Sequence, residues 1–265
     1  MNPYIIAEIG INHMGSLNRA KRLIISAARA GVDAVKFQTY ITEKRVKKDS
    51  PIFKILKKCE LQFKDFKILQ TVAKKNNVEF FSTPFDEESF NYLHKIGVKK
   101  IKIASFDVTN LKFLKFLSKF KKTFILSVGM SKINEIKKAY RILGNKKKNK
   151  VHLLHCVSSY PTNERGVNLA CLEKLQKVFN CPIGYSDHTK DIFAPFCASL
   201  LGANIIEKHY MINSKMKCAD APVSITENQM KNLIKMLKRS KLCYGYEKFG
   251  IRRNEKPFKV FRRFS

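Results

Sequence analysis

Charged and hydroxyl-bearing residues recur at the ends of short apolar runs along this chain, where packing alone gives them no reason to be. Glu8 closes the first run and is followed by Asn12 and His13; Lys36 and Gln38 close the second, Ser82 and Thr83 the third. Lys102 lies in the fourth run just before Ser105, Ser127 ends the fifth, and His155 ends the sixth ahead of Ser158, Tyr160 and Thr162. Ser186, Asp187 and His188 end the seventh, and Glu207, Lys208 and His209 the eighth. Two chemistries follow from these residue types. Lys36 and Lys102, with the hydroxyls of Thr83, Ser105, Ser127 and Ser186, supply the cations and short donors that a sunken phosphate or carboxylate needs, so the substrate is expected to be a small anion. Taken singly, either lysine has the lesser rival reading of a stem packed along a strand with its head reaching water. His188 and His209 end consecutive runs, and if these are neighbours the two imidazoles can converge on one divalent ion while leaving coordination positions open. Such a donor-poor site suits Mn²⁺, with Mg²⁺ or Co²⁺ as alternatives, acting as a Lewis acid, better than structural zinc with its four protein ligands. His94 and His152 read as structural or exposed, while His13 and His155 lie near the same chemistry without an evident partner.

The elements that must position these residues alternate in type. Strand-like runs at Tyr4–Glu8, Ala34–Gln38, Val78–Ser82, Lys100–Ile103, Phe124–Ser127, Val151–Cys156, Pro182–Ser186 and Ile205–His209 are separated or followed by amphipathic stretches. The stretches are Leu17–Ala30, Phe63–Lys75, Glu87–Ile96, Leu111–Phe120, Lys132–Leu143, Leu169–Phe179, Ile192–Leu201 and Thr226–Arg239. Eight such units in 265 residues exceed what an open doubly wound sheet usually holds. They predict an α/β chain folded as a (β/α)8 TIM barrel over residues 1–245, with chemistry at the carboxyl ends of its strands. Residues 40–62, the longest connection, are expected to carry a short extra helix.

Composition narrows the function further. Lys and Arg number 52 against 21 Asp and Glu, a formal charge of +31. The excess is lysine spread thinly; its densest run, Lys146 to Lys148 with Lys150, lacks the interleaved aromatics of a nucleic-acid groove. No specific nucleic-acid partner is therefore expected. Seven cysteines (59, 156, 171, 181, 197, 218, 243) show no C-x-x-C spacing and sit mostly in apolar surroundings, which fits a reducing compartment. The least polar run, Phe193 to Ile206, holds Pro195 and Asn204 and falls short of the ~20 residues of a membrane span. A cytoplasmic location is expected.

The same residues carry a resemblance. Ile6-Ala-Glu-Ile-Gly-Ile-Asn-His13, Val35-Lys-Phe-Gln-Thr39, Phe81-Ser-Thr-Pro-Phe85, Lys102-Ile-Ala-Ser105, Leu126-Ser-Val-Gly-Met130, Gly184-Tyr-Ser-Asp-His-Thr189 and Glu207-Lys-His209 run in order along the chain. In this the sequence resembles the N-acetylneuraminate (sialic acid) synthases, which condense phosphoenolpyruvate with an N-acetylated amino sugar. The resemblance implies phosphoenolpyruvate contacts at Lys36, Thr83, Lys102, Ser105, Ser127, Tyr160 and Ser186, metal ligands at His188 and His209, and sugar-site carboxylates at Glu8 and Asp220. Gln38 and Ser158 join the expected substrate-binding set. Ser158 stands where many members have Asn, and Lys217-Cys218-Ala219 replaces a common Pro-Gly-Pro, so the sugar's identity stays open. The related 3-deoxy-octulosonate and heptulosonate phosphate synthases, and an inactive barrel serving as a binding subunit, stay open as alternatives. Family members continue past a segment like Asn254 to Arg263 into an antifreeze-protein-like domain; the resemblance implies that residues 246–265 are a truncated linker, with a weakened homodimer.

Overall fold

The computed structural model describes residues 3–145, 148–245 and 248–263. Lys146 and Lys147 of the basic run, and residues 246, 247, 264 and 265 of the expected linker, lie outside the described residues. Eight parallel strands close into a barrel in chain order. They are β1 (Tyr4–Gly10), β2 (Ala34–Thr39), β3 (Glu79–Pro84), β4 (Lys100–Ile103), β5 (Thr123–Ser127), β6 (Lys150–Cys156), β7 (Ile183–Asp187) and β8 (Ile205–His209). Closure is made by β1 against β8, with Glu8 opposite both Lys36 of β2 and His209 of β8.

The surrounding helices are α1 (Leu17–Ala30), α2 (Thr42–Arg45), α3 (Phe53–Cys59), α4 (Phe63–Lys75), α5 (Glu87–Lys95), α6 (Leu111–Ser118), α7 (Ile133–Gly144), α8 (Ala170–Val178), α9 (Phe193–Leu200) and α10 (Glu227–Tyr244). Their ends have local causes. Ser16 accepts the Arg19 N–H to start α1, and Gly31, at φ 89°, ends it in the left-handed conformation that glycine adopts without penalty. Thr226 and Gln229 form a capping box at the start of α10, whose apolar stripe of Met230, Leu233, Ile234 and Leu237 is buried. The core between barrel and helices is one continuous apolar cluster built from β-strand residues such as Val35, Phe80 and Leu126 and helix residues such as Leu23, Leu69 and Leu114.

The 40–62 connection carries two short helices, α2 and α3, where one was expected. Glu60 accepts hydrogen bonds from the backbone N–H and hydroxyl of Thr42, the Tyr40 hydroxyl donates to the Leu56 carbonyl, and Asp86 accepts from the Ile41 N–H. Ile11, Tyr40, Leu56 and Cys59 form a small second core beneath it. This pins the connection over the ends of β1 to β3.

Candidate active site

A strand's side chains alternate between its two faces, so only every second residue at each strand end can face the barrel interior. The polar ends do not, therefore, form a single lining. Glu8, Lys36, Gln38, Thr83, Lys102, Ser127, Ser186, Glu207 and His209 face one narrow cavity at the carboxyl ends of the strands. Ser105, Tyr160 and His188, from the loops that follow, complete its wall. Ser82, His155, Asp187 and Lys208 have the opposite parity. Ser82 bonds Thr39 at 2.7 Å, His155 bonds the Val167 carbonyl at 2.8 Å, and Lys208 pairs with Asp187 at 2.5 Å, fully buried outside the barrel. Ser158 and Asp220 stand one contact back, Ser158 bonded to the Ser105 hydroxyl at 2.9 Å and Asp220 beside His209.

The cavity floor is an ion cluster. Lys36 Nζ lies 2.8 Å from Glu8, 3.8 Å from Glu207 and 3.2 Å from the Thr83 hydroxyl. Lys102 Nζ lies 3.7 Å from Glu207 and donates to the Ser127 hydroxyl at 2.6 Å. Ser186 donates to Glu207 at 2.9 Å. Both lysines are 3% exposed, so neither reaches water along its stem as a packed structural lysine would. Burial works against every charge here, and the partners decide the outcome. For Lys36, Glu207 and Glu8 outweigh burial and raise its pKa; for Lys102, burial wins and lowers it. Glu207 is held below the usual carboxylate range because Lys102 and Lys36 overcome its burial, while burial pushes Glu8 upward. Glu207, at the centre of this cluster, was named at the end of the eighth run but given no role in the site. Its signal was parity: two residues before His209, it must share that residue's face.

Above the floor, His188 and His209 converge with ring centroids 5.5 Å apart, and Tyr160 packs on His188 at 4.1 Å. Burial, with His209 alongside, lowers the His188 pKa to about 4, so its ring is neutral. Its Nδ1 lies 2.6 Å from the Val157 carbonyl, which requires the proton there and leaves the Nε2 lone pair free. His209 Nδ1 lies 3.3 Å from Asp220, a carboxylate placed to fix the same tautomer. Two converging imidazoles whose Nδ1 atoms face outward partners could hold a metal on their Nε2 atoms, so the residues fit a divalent ion. Among the described residues no third His, Cys, Asp or Glu joins them. Asn12, also named at a strand end without a role, donates to the Tyr210 carbonyl and the Ser224 hydroxyl and accepts from the Asp220 N–H, which seats the Asp220 loop.

A model of the NeuB family matches residues 23–249. The chain belongs to the NeuB family. It is 35% identical over 283 residues to an N,N'-diacetyllegionaminic acid synthase of Legionella pneumophila, covering 100% of this chain and 80% of that protein. It is 32% identical over 255 residues to an N-acetylneuraminate-9-phosphate synthase of Drosophila melanogaster, covering 90% of this chain and 68% of that one. Among solved structures, the N-acetylneuraminic acid synthetase of Leptospira borgpetersenii superposes with a TM-score of 0.92 at 39% identity, covering 98% of this chain and 92% of that one. This NeuB chain is accordingly an enzyme of the synthase kind. No helix among its described residues is long and apolar enough to cross a membrane.

Proposed function

We propose that the chain condenses phosphoenolpyruvate with an N-acetylated amino sugar, giving a sialic-acid-type nonulosonic acid and phosphate. The observation that carries this reading is the floor of Lys36 and Lys102 around Glu207 beneath the paired imidazoles of His188 and His209. The two ammonium groups and the Thr83, Ser105, Ser127 and Ser186 hydroxyls hold the phosphate and carboxylate of phosphoenolpyruvate and aim its C3 upward. The open-chain sugar lies above, against Glu8, Gln38, Tyr160 and Asp220. A divalent cation on His188 and His209, for which Mn²⁺ is the first choice, would supply Lewis acidity to the aldehyde oxygen.

C3 attacks the aldehyde carbon and forms the new C–C bond, and the sugar oxygen takes up a proton. Glu8, whose carboxyl burial favours holding a proton, is placed to deliver it or to position the sugar. Water then adds at the electron-poor C2, and the tetrahedral intermediate collapses by C–O cleavage to release phosphate. The thiol-rich, disulfide-free composition supports a cytoplasmic location, and a homodimer fits the family resemblance.

The test is phosphate release from phosphoenolpyruvate with N-acetylmannosamine, its 6-phosphate and a 6-deoxy diacetamido analogue, each with Mn²⁺ and with chelator. Turnover with at least one sugar, lost on chelation, is expected. Tight phosphoenolpyruvate binding without turnover of any aldose would favour the inactive-barrel reading.

A further inference from the structure

His188 and His209 can share a cation only if the two strand ends that carry them keep their spacing, and main-chain pairing does not reach that far. The β7–β8 ladder joins Tyr185 to Ile206, Ser186 to Glu207 and Asp187 to Lys208, and among the described residues it has no pair at His188 and His209. His209 is steadied from its other side, opposite Glu8 of β1. His188 lies one residue past the end of β7, where its carbonyl accepts the Thr162 N–H at 2.9 Å.

A side-chain pair takes over at the last rung. Lys208 and Asp187, each the chain neighbour of one histidine, meet at 2.5 Å with both side chains wholly buried. The Lys208 ammonium also donates to the Thr189 carbonyl at 2.5 Å. Asp187 accepts from the Thr189 N–H at 3.2 Å, the Thr189 hydroxyl at 2.8 Å and the Tyr185 hydroxyl at 2.7 Å. The three polar atoms of Thr189 are thus all bonded to this pair. The residues on both sides of His188 are tied to each other and, through one ammonium group, to the residue before His209. Stability alone is a poor account of the arrangement, since a fully buried ion pair can often be exchanged for apolar side chains without loss. What an apolar exchange does not supply is a directed, charge-assisted bond of fixed length between two backbones.

We propose that the Lys208–Asp187 pair is a clamp that fixes the spacing of the His188 and His209 rings and thereby sets the affinity for a divalent cation, with Lys208 as a positioning residue. The proposal rests on the metal reading above. Lys208 touches neither cation nor substrate; it acts through the backbone, because His209 is the next residue along β8 and successive residues point to opposite faces of the strand. A displacement of the Lys208 backbone on the helix side therefore moves the imidazole on the cavity side.

The test is a Mn²⁺ titration of the full chain, followed by electron paramagnetic resonance, for the parent, K208M and D187N/K208M, with melting temperatures and phosphoenolpyruvate Kd measured alongside. K208M removes the tether while Asp187 keeps its donors from Tyr185 and Thr189. The double variant leaves no buried charge unpaired and keeps an amide for those same partners, so it should melt within a few degrees of the parent. The Mn²⁺ Kd should rise about 10-fold to 100-fold in both variants, the usual effect of losing a group that orients metal ligands. The phosphoenolpyruvate Kd should change less than about two-fold, because Lys36 and Lys102 stand on β2 and β4, away from the clamp. The sign separates geometry from electrostatics: removing a positive charge near a cation site would by itself tighten Mn²⁺ binding, so weaker binding in K208M reports the lost spacing. Unchanged or tighter Mn²⁺ binding in K208M, or parent-like binding in the double variant, would overturn the clamp and leave the metal site standing. Equal weakening of Mn²⁺ and phosphoenolpyruvate would overturn it too, as a general loosening of the barrel mouth. A parent chain that binds no Mn²⁺ removes the metal reading and the clamp with it.

Discussion

At the scale of single residues, Glu207 organises the site. Its carboxylate is shared by two buried lysines, so it neutralises charge that, on the proposed function, phosphoenolpyruvate would neutralise in its turn. Glu207→Gln should therefore destabilise the ligand-free protein by about 3–5 kcal/mol, the cost of leaving buried charge unpaired. Phosphoenolpyruvate should then raise the melting temperature of the variant more than that of the parent. Equal protection in both would show that the lysines do not depend on Glu207. For the histidine pair, His209→Ala should weaken Mn²⁺ binding in a calorimetric titration at least about ten-fold, as loss of one of two protein ligands implies. Undiminished affinity would remove His209 from the metal site.

At the scale of elements, the outside of the barrel matters as much as its lumen. Lys208 of β8 donates to Asp187 of β7 and to the Thr189 carbonyl, and Asp187 also accepts from Tyr185 and Thr189. This network ties together the two strand ends that carry His188 and His209. Asp187→Asn should cost about 3–5 kcal/mol in chemical denaturation, because it leaves the Lys208 charge buried and unpaired. A change under 1 kcal/mol, the size of a surface pair, would contradict the burial argument. Further round the barrel, the α1–α10 seam is pinned by Glu227. Burial pushes its carboxyl up, but hydrogen bonds from Lys231, Ser26 and Arg29 outweigh this and hold it at about 2. The folded state thus binds fewer protons than the unfolded one between about pH 4.5 and 2, so the stabilisation is complete above that window and lost as pH falls through it. Glu227→Gln should flatten this part of the stability-against-pH curve, measured by urea midpoints; an unchanged slope would exclude the contribution.

At the scale of the whole molecule, a formal charge of +31 accompanies a cavity proposed to take anionic phosphoenolpyruvate. Its simplest consequence is faster encounter with anionic substrates at low salt. Duplex DNA should bind weakly, without sequence preference, and release steeply as salt rises, as scattered lysines shedding counterions require. Retention of DNA at physiological salt in a filter assay, with one sequence preferred, would reveal a nucleic-acid site instead.

Much of this architecture was legible in the chain itself. Short strand-like runs alternate with longer amphipathic stretches in eight units, and that local signal placed β4, β8, α1 and α4 at their observed bounds. Boundaries moved by a residue or two where hydrogen bonding to a neighbour extends a strand, as at Pro84, which pairs with Thr39. The lysines, hydroxyls and histidines were visible because polar residues at buried strand ends need a reason. The tertiary structure decided which of them meet. Chain order cannot say whether Asp187 and Lys208 join the cavity or face the helices, because that depends on strand register and closure. Nor could it bring Arg45 to the site, since α2 reaches the rim only when Tyr40, Glu60 and Asp86 fasten the connection across the barrel mouth. Residues that act through a strand's own alternation are written in the sequence, whereas those delivered by a loop take their place from contacts far apart in the chain.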